Sequence, residues 1–201
     1  MIRNVVFDMG GVLLAYEPWA FVQREIADPE DARKIFDACF GGPEWQALDA
    51  GAISEEEALA SMQEKVEPEL RGKLARLFET WPDCMSPISG MEELVRTLQE
   101  KGIRCLVLSN ASVRFPVLVE RFSVLRRIDE RFVSAFYKLV KPTQAIYERF
   151  LAEYSLKAEE CVFFDDLQAN VDGAAACGIQ AHRFCGVEDA VRFLNSVGVS
   201  V

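Results

Sequence analysis

The sequence predicts an α/β protein in which a doubly wound parallel sheet carries an inserted helical segment. Apolar runs that suit strands alternate with helical patterns over much of the chain, which is typical of a parallel sheet with helices on both faces. The runs are apolar throughout, as expected for strands that are buried on both faces. The segment from about residue 16 to residue 87 differs, because it carries helical signals and no convincing strand.

Three of the apolar runs end at polar residues. They are residues 2–7, followed by Asp8, residues 104–108, followed by Ser109 and Asn110, and residues 161–164, followed by Asp165 and Asp166. Two further strands are predicted at residues 132–136 and 179–183, and Lys141 is expected just after a strand. In an open parallel sheet, ligands bind beyond the carboxyl ends of the strands, so these loops are expected to converge on one site.

Helical patterns occupy the segments between these runs. The clearest covers residues 90–101 and ends at Gly102, a residue type that favours the C-terminus of a helix. Further helices are predicted at residues 143–154, 169–177 and 187–197.

The inserted segment has its own helix signals. Ser54, which precedes three glutamates, is a capping-box start, and Pro68 begins another helix. We therefore predict a small helical module at residues 16–87, inserted into a core formed by residues 1–15 and 88–201.

Composition and charge argue against several classes of protein. Half of the 201 residues are hydrophobic, which suffices for a sizeable core, and the net charge of −10 disfavours nucleic acid or an anionic membrane as a partner.

The six cysteines form no C-x-x-C pair, which predicts buried, reduced thiols in a cytoplasmic protein. His182 is the only histidine, so a zinc site is not expected and a structural role is predicted for it. No signal peptide or membrane-spanning stretch is found, and the oligomeric state is left open.

The polar residues at the strand ends suggest phosphate chemistry. Asp8 and Asp166 offer the hard oxygen ligands that Mg²⁺ prefers, and clustered carboxylates resist ionisation without a cation. The cation and Lys141 would neutralise a phosphoryl group, while Ser109 would hold its oxygens. A carboxylate placed like Asp8 can attack phosphorus and form an aspartyl-phosphate, which water then hydrolyses. Taken alone, each of these residues could instead have a structural role in a turn, a helix cap or a loop. The prediction of a catalytic site depends on the order and positions of all of them together.

Four segments, in this order, resemble the motifs of the haloacid dehalogenase-like hydrolase superfamily, and the resemblance covers nearly the whole chain. They are residues 5–13 (VVFDMGGVL), 108–110 (LSN), 140–142 (VKP) with Ile146 and Tyr147, and 163–166 (FFDD) with Asn170 and Gly178. The resemblance implies a Rossmann-like core and a small helical cap that selects the substrate. The aromatic residues of this cap, among them Trp45 and Trp81, are expected mostly in its core.

The resemblance also implies roles for the matching residues as nucleophile, metal ligands, phosphate ligands and supporting groups. Asp8 would be the nucleophile, and it would also bind Mg²⁺ together with Asp166 and the backbone carbonyl of Gly10. Phosphate would be bound by Ser109, Asn110 and Lys141, and Lys141 would also stabilise the charge of Asp8. Asp165 and Asn170 would support the site.

One position departs from the family pattern. Most phosphatases of the family carry a second Asp two residues after the nucleophile, which protonates the leaving oxygen and later activates water; here this position is Gly10. Relatives that resemble bacterial glucose-1-phosphate phosphatases have the same Asp-x-Gly form. Losing a general acid costs on the order of 10²–10⁴ in rate unless another group supplies the proton. We therefore expect a preference for good leaving groups, such as those of sugar 1-phosphates.

The predicted function is Mg²⁺-dependent hydrolysis of small phosphorylated metabolites, with sugar phosphates as candidate substrates. A metal-independent 2-haloacid dehalogenase would also use Asp8 without a second Asp, but the acidic pair Asp165-Asp166 disfavours it. A weakly catalytic relative that only binds a phosphorylated ligand is favoured by Gly10 and disfavoured by the retained Asp8 and Lys141. The motifs do not identify the phosphate ester.

Overall fold

The computed structural model describes residues 1–201 and contains seven strands, five of them in one parallel sheet. The strands are β1 Asn4–Phe7, β2 Leu14–Tyr16, β3 Met85–Pro87, β4 Arg104–Ser109, β5 Glu130–Val133, β6 Cys161–Asp165 and β7 Gln180–Arg183. The sheet has the order β5-β4-β1-β6-β7, whereas β2 and β3 form a separate antiparallel pair. Because β1 pairs in parallel with both β4 and β6, the carboxyl ends of these three strands lie side by side.

The chain contains twelve α-helices. They are α1 Pro18–Glu25, α2 Pro29–Cys39, α3 Pro43–Asp49, α4 Glu55–Glu64, α5 Pro68–Glu79, α6 Met91–Glu100, α7 Phe115–Arg121, α8 Ser123–Arg127, α9 Ser134–Tyr137, α10 Gln144–Glu153, α11 Gln168–Ala176 and α12 Val187–Ser196, with short 3₁₀ helices at Trp81–Cys84 and Ala158–Glu160. Helices α1 to α5 all lie between β2 and β3. The division of the chain into core and cap stays a prediction, although β2 and β3 lie at its two boundaries.

Both faces of the sheet are buried, which explains the uniformly apolar strands. Successive side chains of a strand point to opposite faces, and Val5 and Phe7 accordingly pack in one apolar cluster while Val6 packs in another. The larger cluster continues into the helices between β2 and β3, and the smaller one lies under α10 and α11. The predicted α/β class with a parallel sheet is therefore confirmed.

Helix start and stop signals act as the sequence predicts. The Ser54 hydroxyl accepts a hydrogen bond from the Glu57 N–H at 3.1 Å, and the Glu57 carboxylate accepts one from the Ser54 N–H at 2.8 Å. This capping box begins α4. Proline occupies the first turn of α1, α2, α3 and α5, where its missing N–H is not needed. Gly102 follows α6 with a φ of +77°.

Two strand predictions were wrong in detail. The strand predicted at residues 132–136 is β5, which ends at Val133 and continues as α9. Val133 pairs with Ser109, the last residue of β4, so no strand backbone remains for later residues to pair with. Lys141 consequently follows α9 and a turn rather than a strand. Strands β2 and β3 were not predicted, because three-residue runs give no periodic signal.

The burial of the six cysteines and the contacts of His182 can be compared with the predictions. All six cysteines are unpaired and four are buried, but Cys177 is half-buried at the end of α11 and Cys185 is exposed, contrary to the expectation. His182 bonds Asp189 at 2.7 Å and stacks on Phe193 with ring centroids 4.2 Å apart, in keeping with a structural role. No helix has the length and apolar character needed to cross a bilayer.

Candidate active site

Asp8 directly follows the central strand β1 and lines a cavity of about 280 Å³. The residue is only 9% exposed. Its Oδ1 accepts a hydrogen bond from the Met9 N–H at 2.7 Å and lies 3.0 Å from Nζ of Lys141. Burial raises the pKa of Asp8 to about 6, with Lys141 opposing the shift and the charge of Asp165 adding to it. Its other carboxylate oxygen stays available for a ligand.

Lys141 is buried between two carboxylates. Its ammonium group lies 2.6 Å from Oδ2 of Asp165 and donates to the carbonyl of Leu108 at 3.0 Å, in addition to its contact with Asp8. The three protons of the ammonium group therefore each have an acceptor. One positive charge between two carboxylates leaves an excess of negative charge, which favours the binding of a cation.

The loop after β4 fixes the backbone around Lys141. The Asn110 side chain accepts a hydrogen bond from the Lys141 N–H at 2.9 Å and donates one to the Lys141 carbonyl at 3.1 Å. Ser109, which is 2% exposed, places its hydroxyl where a hydrogen bond lowers the pKa of Asp8. Both residues line the cavity, and their predicted contacts with phosphate stay predictions.

The two acidic residues after β6 have different surroundings. Asp165 is fully buried, and its Oδ1 accepts hydrogen bonds from the Leu167 N–H and from Nδ2 of Asn170, both at 2.9 Å. With Lys141 on its other oxygen, Asp165 is fully engaged inside the protein. Asp166 is half-buried and lines the cavity, and burial followed by the charge of Asp165 raises the pKa of Asp166.

The arrangement of oxygen atoms fits Mg²⁺. Asp8, Asp165 and Asp166 offer carboxylate oxygens that all lie within 4.8 Å of one another. Ligands about 2.1 Å from an octahedral ion lie roughly 3–4 Å apart, so little adjustment is needed. Gly10 lines the same cavity, and its carbonyl accepts no backbone hydrogen bond. Since Asp165 is engaged elsewhere, Asp8, Asp166 and the Gly10 carbonyl are the oxygens best able to hold the ion.

The two glycines after Asp8 differ in the space around them. Gly11 has a φ of +75°, and a Cβ added there would lie 2.6 Å from the Asp166 carboxylate. A Cβ added to Gly10 would meet only the Cβ of Tyr16, at 3.9 Å. Close approach of Asp166 therefore requires glycine at position 11, whereas sterics do not require it at position 10.

Part of the cavity wall comes from the segment that was predicted to be the cap. The residues of this segment that line the cavity are Tyr16, Trp45, Asp49, Trp81 and Met85. Trp45 and Trp81 were expected mostly in the cap core. Both pack in the apolar cluster, where their rings meet edge to face 5.6 Å apart, and both also line the cavity. Asp49 was not predicted as a site residue, since a single Asp at the end of a helix carries no motif.

Asp49 is held at the cavity by contacts between α3 and the core. The Ser134 hydroxyl donates a hydrogen bond to the Asp49 carbonyl. Two residues further on, Gly51 has a φ of +62°, and its Cβ position lies only 2.3 Å from the Ala135 carbonyl oxygen. Burial raises the pKa of Asp49 to about 8, and the negative charge of Asp8 acts in the same direction. The end of α3 is thus packed directly on the core beside α9.

Arg114, in the loop before α7, forms a second connection to the inserted helices. Its guanidinium group donates to the carbonyls of Phe78 and Glu79 at 3.0 Å and 2.9 Å, and its Nε lies 3.4 Å from the Glu55 carboxylate. The two carbonyls lie at the C-terminal end of α5, where a positive charge is favourable.

Comparisons with known proteins agree on one family. The haloacid dehalogenase-like hydrolase family matches residues 2–178. The chain is 27% identical to sesquiterpene phosphatase astK of Aspergillus oryzae, over 88% of this chain and 87% of that protein. It is 26% identical to the phosphorylated carbohydrates phosphatase of Thermotoga maritima, over 92% of this chain and 85% of that protein. A HAD family enzyme of Bacteroides thetaiotaomicron, solved with magnesium and inorganic phosphate, has a similar fold, with a TM-score of 0.73, 18% identity and coverage of 96% and 99%.

Proposed function

This chain belongs to the haloacid dehalogenase-like hydrolase family, and we propose that it is a Mg²⁺-dependent phosphatase that forms an aspartyl-phosphate on Asp8. The phosphatase class follows from the family and from relatives named as phosphatases. The observation that supports the proposal most is the pairing of buried Asp8 with Lys141, beside Asp166 and at one cavity.

The geometry suggests how each residue contributes. The Met9 N–H and Lys141 orient one oxygen of Asp8, and the other oxygen attacks phosphorus. The ester P–O bond breaks, and the leaving oxygen takes up a proton; water then attacks phosphorus and releases Asp8. Ser109 would hold a phosphoryl oxygen, and the positive charge of Lys141, beside Asp8, would help to neutralise the phosphoryl group. Mg²⁺ held by Asp8, Asp166 and the Gly10 carbonyl would neutralise the negative charge of the phosphoryl group.

The cavity favours a small ester. Its volume of about 280 Å³ lies just below the usual range for small-molecule sites, roughly 300–1,000 Å³. Trp45 and Trp81 line the cavity, and indole side chains can pack on the C–H groups of a sugar and donate hydrogen bonds to its hydroxyls. Sugar phosphates are therefore the proposed substrates. The specific likeness to glucose-1-phosphate phosphatases, the cytoplasmic location and the absence of nucleic-acid or membrane partners stay predictions.

A substrate panel tests this proposal. Wild-type protein is assayed on sugar phosphates, simple alkyl phosphates and an isoprenoid phosphate, with Mg²⁺ and with EDTA. We expect turnover of sugar phosphates that requires Mg²⁺ and falls by at least about 10⁴-fold in Asp8→Asn. Asp37→Asn is the matched control, because Asp37 is an exposed carboxylate on α2 that pairs only with Arg33.

Other results would point to the alternatives. Unchanged activity in Asp8→Asn would refute the mechanism. Phosphate-ester binding without any turnover would favour a binding protein, and activity on 2-chloropropionate that persists in EDTA would favour a dehalogenase.

A further inference from the structure

We propose that Asp49 is the acid–base catalytic residue of this enzyme: it protonates the leaving oxygen and then accepts a proton from the attacking water. This inference rests on the proposed phosphatase function. It assigns the proton transfers to the helical segment between β2 and β3, and not to the loop that carries the nucleophile.

The first argument is elimination among the titratable residues of the cavity, which are Asp8, Tyr16, Asp49, Lys141 and Asp166. Asp8 is the nucleophile, Asp166 is a ligand candidate for the cation, and Lys141 is engaged by two carboxylates and a carbonyl. Burial raises the pKa of Tyr16 well above its usual range, which makes it a poor proton acceptor from water. Asp49 is the remaining group that could exchange a proton near neutral pH.

The second argument is the position of Asp49. It lies outside the carboxylate cluster of Asp8, Asp165 and Asp166, so it is not needed to hold a cation. It lines the same cavity as Asp8, on the segment between β2 and β3, and is close enough to Asp8 for the charge of that residue to act on its carboxyl group. The hydrogen bond from Ser134 to its backbone and the packing of Gly51 on Ala135 fix this position.

The third argument is the absence of a neutralising partner. The charge that acts on the Asp49 carboxyl group is the negative charge of Asp8, and no cation contributes. A half-buried carboxyl group without a cation is costly to ionise, and such groups are enriched at functional sites. The raised pKa of Asp49, about 8, means that the group carries a proton at neutral pH and can donate it.

The two steps of hydrolysis conserve atoms, protons and charge. In the first step, an Asp8 oxygen bonds to phosphorus, the P–O bond to the alcohol breaks, and the Asp49 proton moves to the alcohol oxygen. In the second step, a water oxygen bonds to phosphorus, its proton returns to Asp49, and the bond between phosphorus and Asp8 breaks. Asp49 ends protonated and Asp8 ends ionised, as both began, and the products are the alcohol and inorganic phosphate.

The assignment changes the substrate preference expected from Gly10. With Asp49 as general acid, the wild type should also hydrolyse esters with poor leaving groups. The preference for good leaving groups should appear only when Asp49 is replaced.

Leaving-group dependence tests the role. Asp49→Asn keeps the shape of the side chain and removes the proton. We expect kcat/KM for a simple alkyl phosphate to fall by about 10²–10⁴. For 4-nitrophenyl phosphate, whose leaving group needs no proton, kcat/KM should change by less than about tenfold. Because water activation is also lost, this substrate should show a burst of nitrophenolate followed by slow turnover.

Rescue provides a second readout that a purely structural role would not give. A Cβ at position 10 would meet only the Cβ of Tyr16, at 3.9 Å, and this position lies in the same cavity. Gly10→Asp combined with Asp49→Asn should therefore restore activity on the alkyl phosphate. Asp37→Asn serves again as the control and should behave like the wild type.

Three results would overturn the assignment: equal losses in kcat/KM on both substrates, no loss on either, or a double variant as slow on the alkyl phosphate as Asp49→Asn. If the wild type is active and depends on Asp8 while Asp49→Asn is normal, this inference alone fails. If the wild type hydrolyses no ester, the proposed function itself fails.

Discussion

Replacing Lys141 with methionine should destabilise the protein by about 3–5 kcal/mol at pH 7, because it removes one partner of a buried ionic group and leaves the others uncompensated. Lys141 is 4% exposed, and its ammonium group is shared by Asp8 and Asp165. Methionine fills much of the same volume but leaves both carboxylates without their cation and the Leu108 carbonyl without its donor.

The effect should depend on pH in a defined direction. The pKa of Asp8 is raised from 3.8 to about 6 in the folded protein. Below pH 6 its carboxyl group is largely protonated, and its contact with Lys141 is not an ion pair. As the pH rises through 6, the carboxylate ionises and Lys141 stabilises it only in the wild type. The loss should therefore be larger at pH 7 than at pH 5, by about 1 kcal/mol or more.

Urea unfolding of the metal-free protein, followed by tryptophan fluorescence, measures this difference. With a slope of about 3 kcal/mol per molar urea, the midpoint at pH 7 should fall by about 1–1.7 M. Lys157→Met is the control, because Lys157 is exposed, its contact with Glu160 is 3.8 Å long, and its loss should cost at most about 1 kcal/mol. A loss below about 1 kcal/mol for Lys141→Met, or equal losses at pH 5 and pH 7, would refute the reasoning.

Three further predictions concern the metal site and the inserted helices. Gly11→Ala should weaken Mg²⁺ binding by about tenfold or more in calorimetry, because the new methyl group displaces Asp166. Arg114→Gln should speed amide hydrogen exchange at the end of α5 and cost about 1–2 kcal/mol, because two backbone carbonyls lose their charged donor. Asp8 must lose its proton to bind Mg²⁺, so the affinity for Mg²⁺ should rise about tenfold per pH unit up to about pH 6, the pKa of Asp8. Above that pH, Asp8 is already ionised and its titration should no longer change the affinity.

Matched variants separate these effects from general destabilisation. Gly102→Ala imposes a similar backbone strain, since its φ is +77°, but nothing lies within 4 Å of the new methyl group, so Mg²⁺ affinity should not change. Arg149→Gln removes an exposed pair within α10 and should leave exchange in α5 unaltered. Mg²⁺ affinity that is equal at pH 5 and pH 7 would argue against Asp8 as a ligand.

Much of the fold follows from local sequence patterns. The uniformly apolar runs before Asp8, Ser109 and Asp165 predicted β1, β4 and β6, and parallel pairing brought their ends together. The capping box at Ser54 and the glycine at position 102 predicted helix ends, because these residues act on the backbone within a few positions. Short strands such as β2 and β3 gave no such signal.

The sequence by itself determined the main strands of the parallel sheet, several of the helices and the polar residues at the strand ends, because hydrophobic periodicity and turn chemistry are local properties. Only the tertiary structure decided that Lys141 joins Asp8 to Asp165, that Gly11 makes room for Asp166, and that Asp49 reaches the same cavity. These contacts join segments far apart along the chain. They arise from the pairing of β1 with β6, from the docking of α3 on the core and from the turn after α9, and none of these is a local property of the sequence.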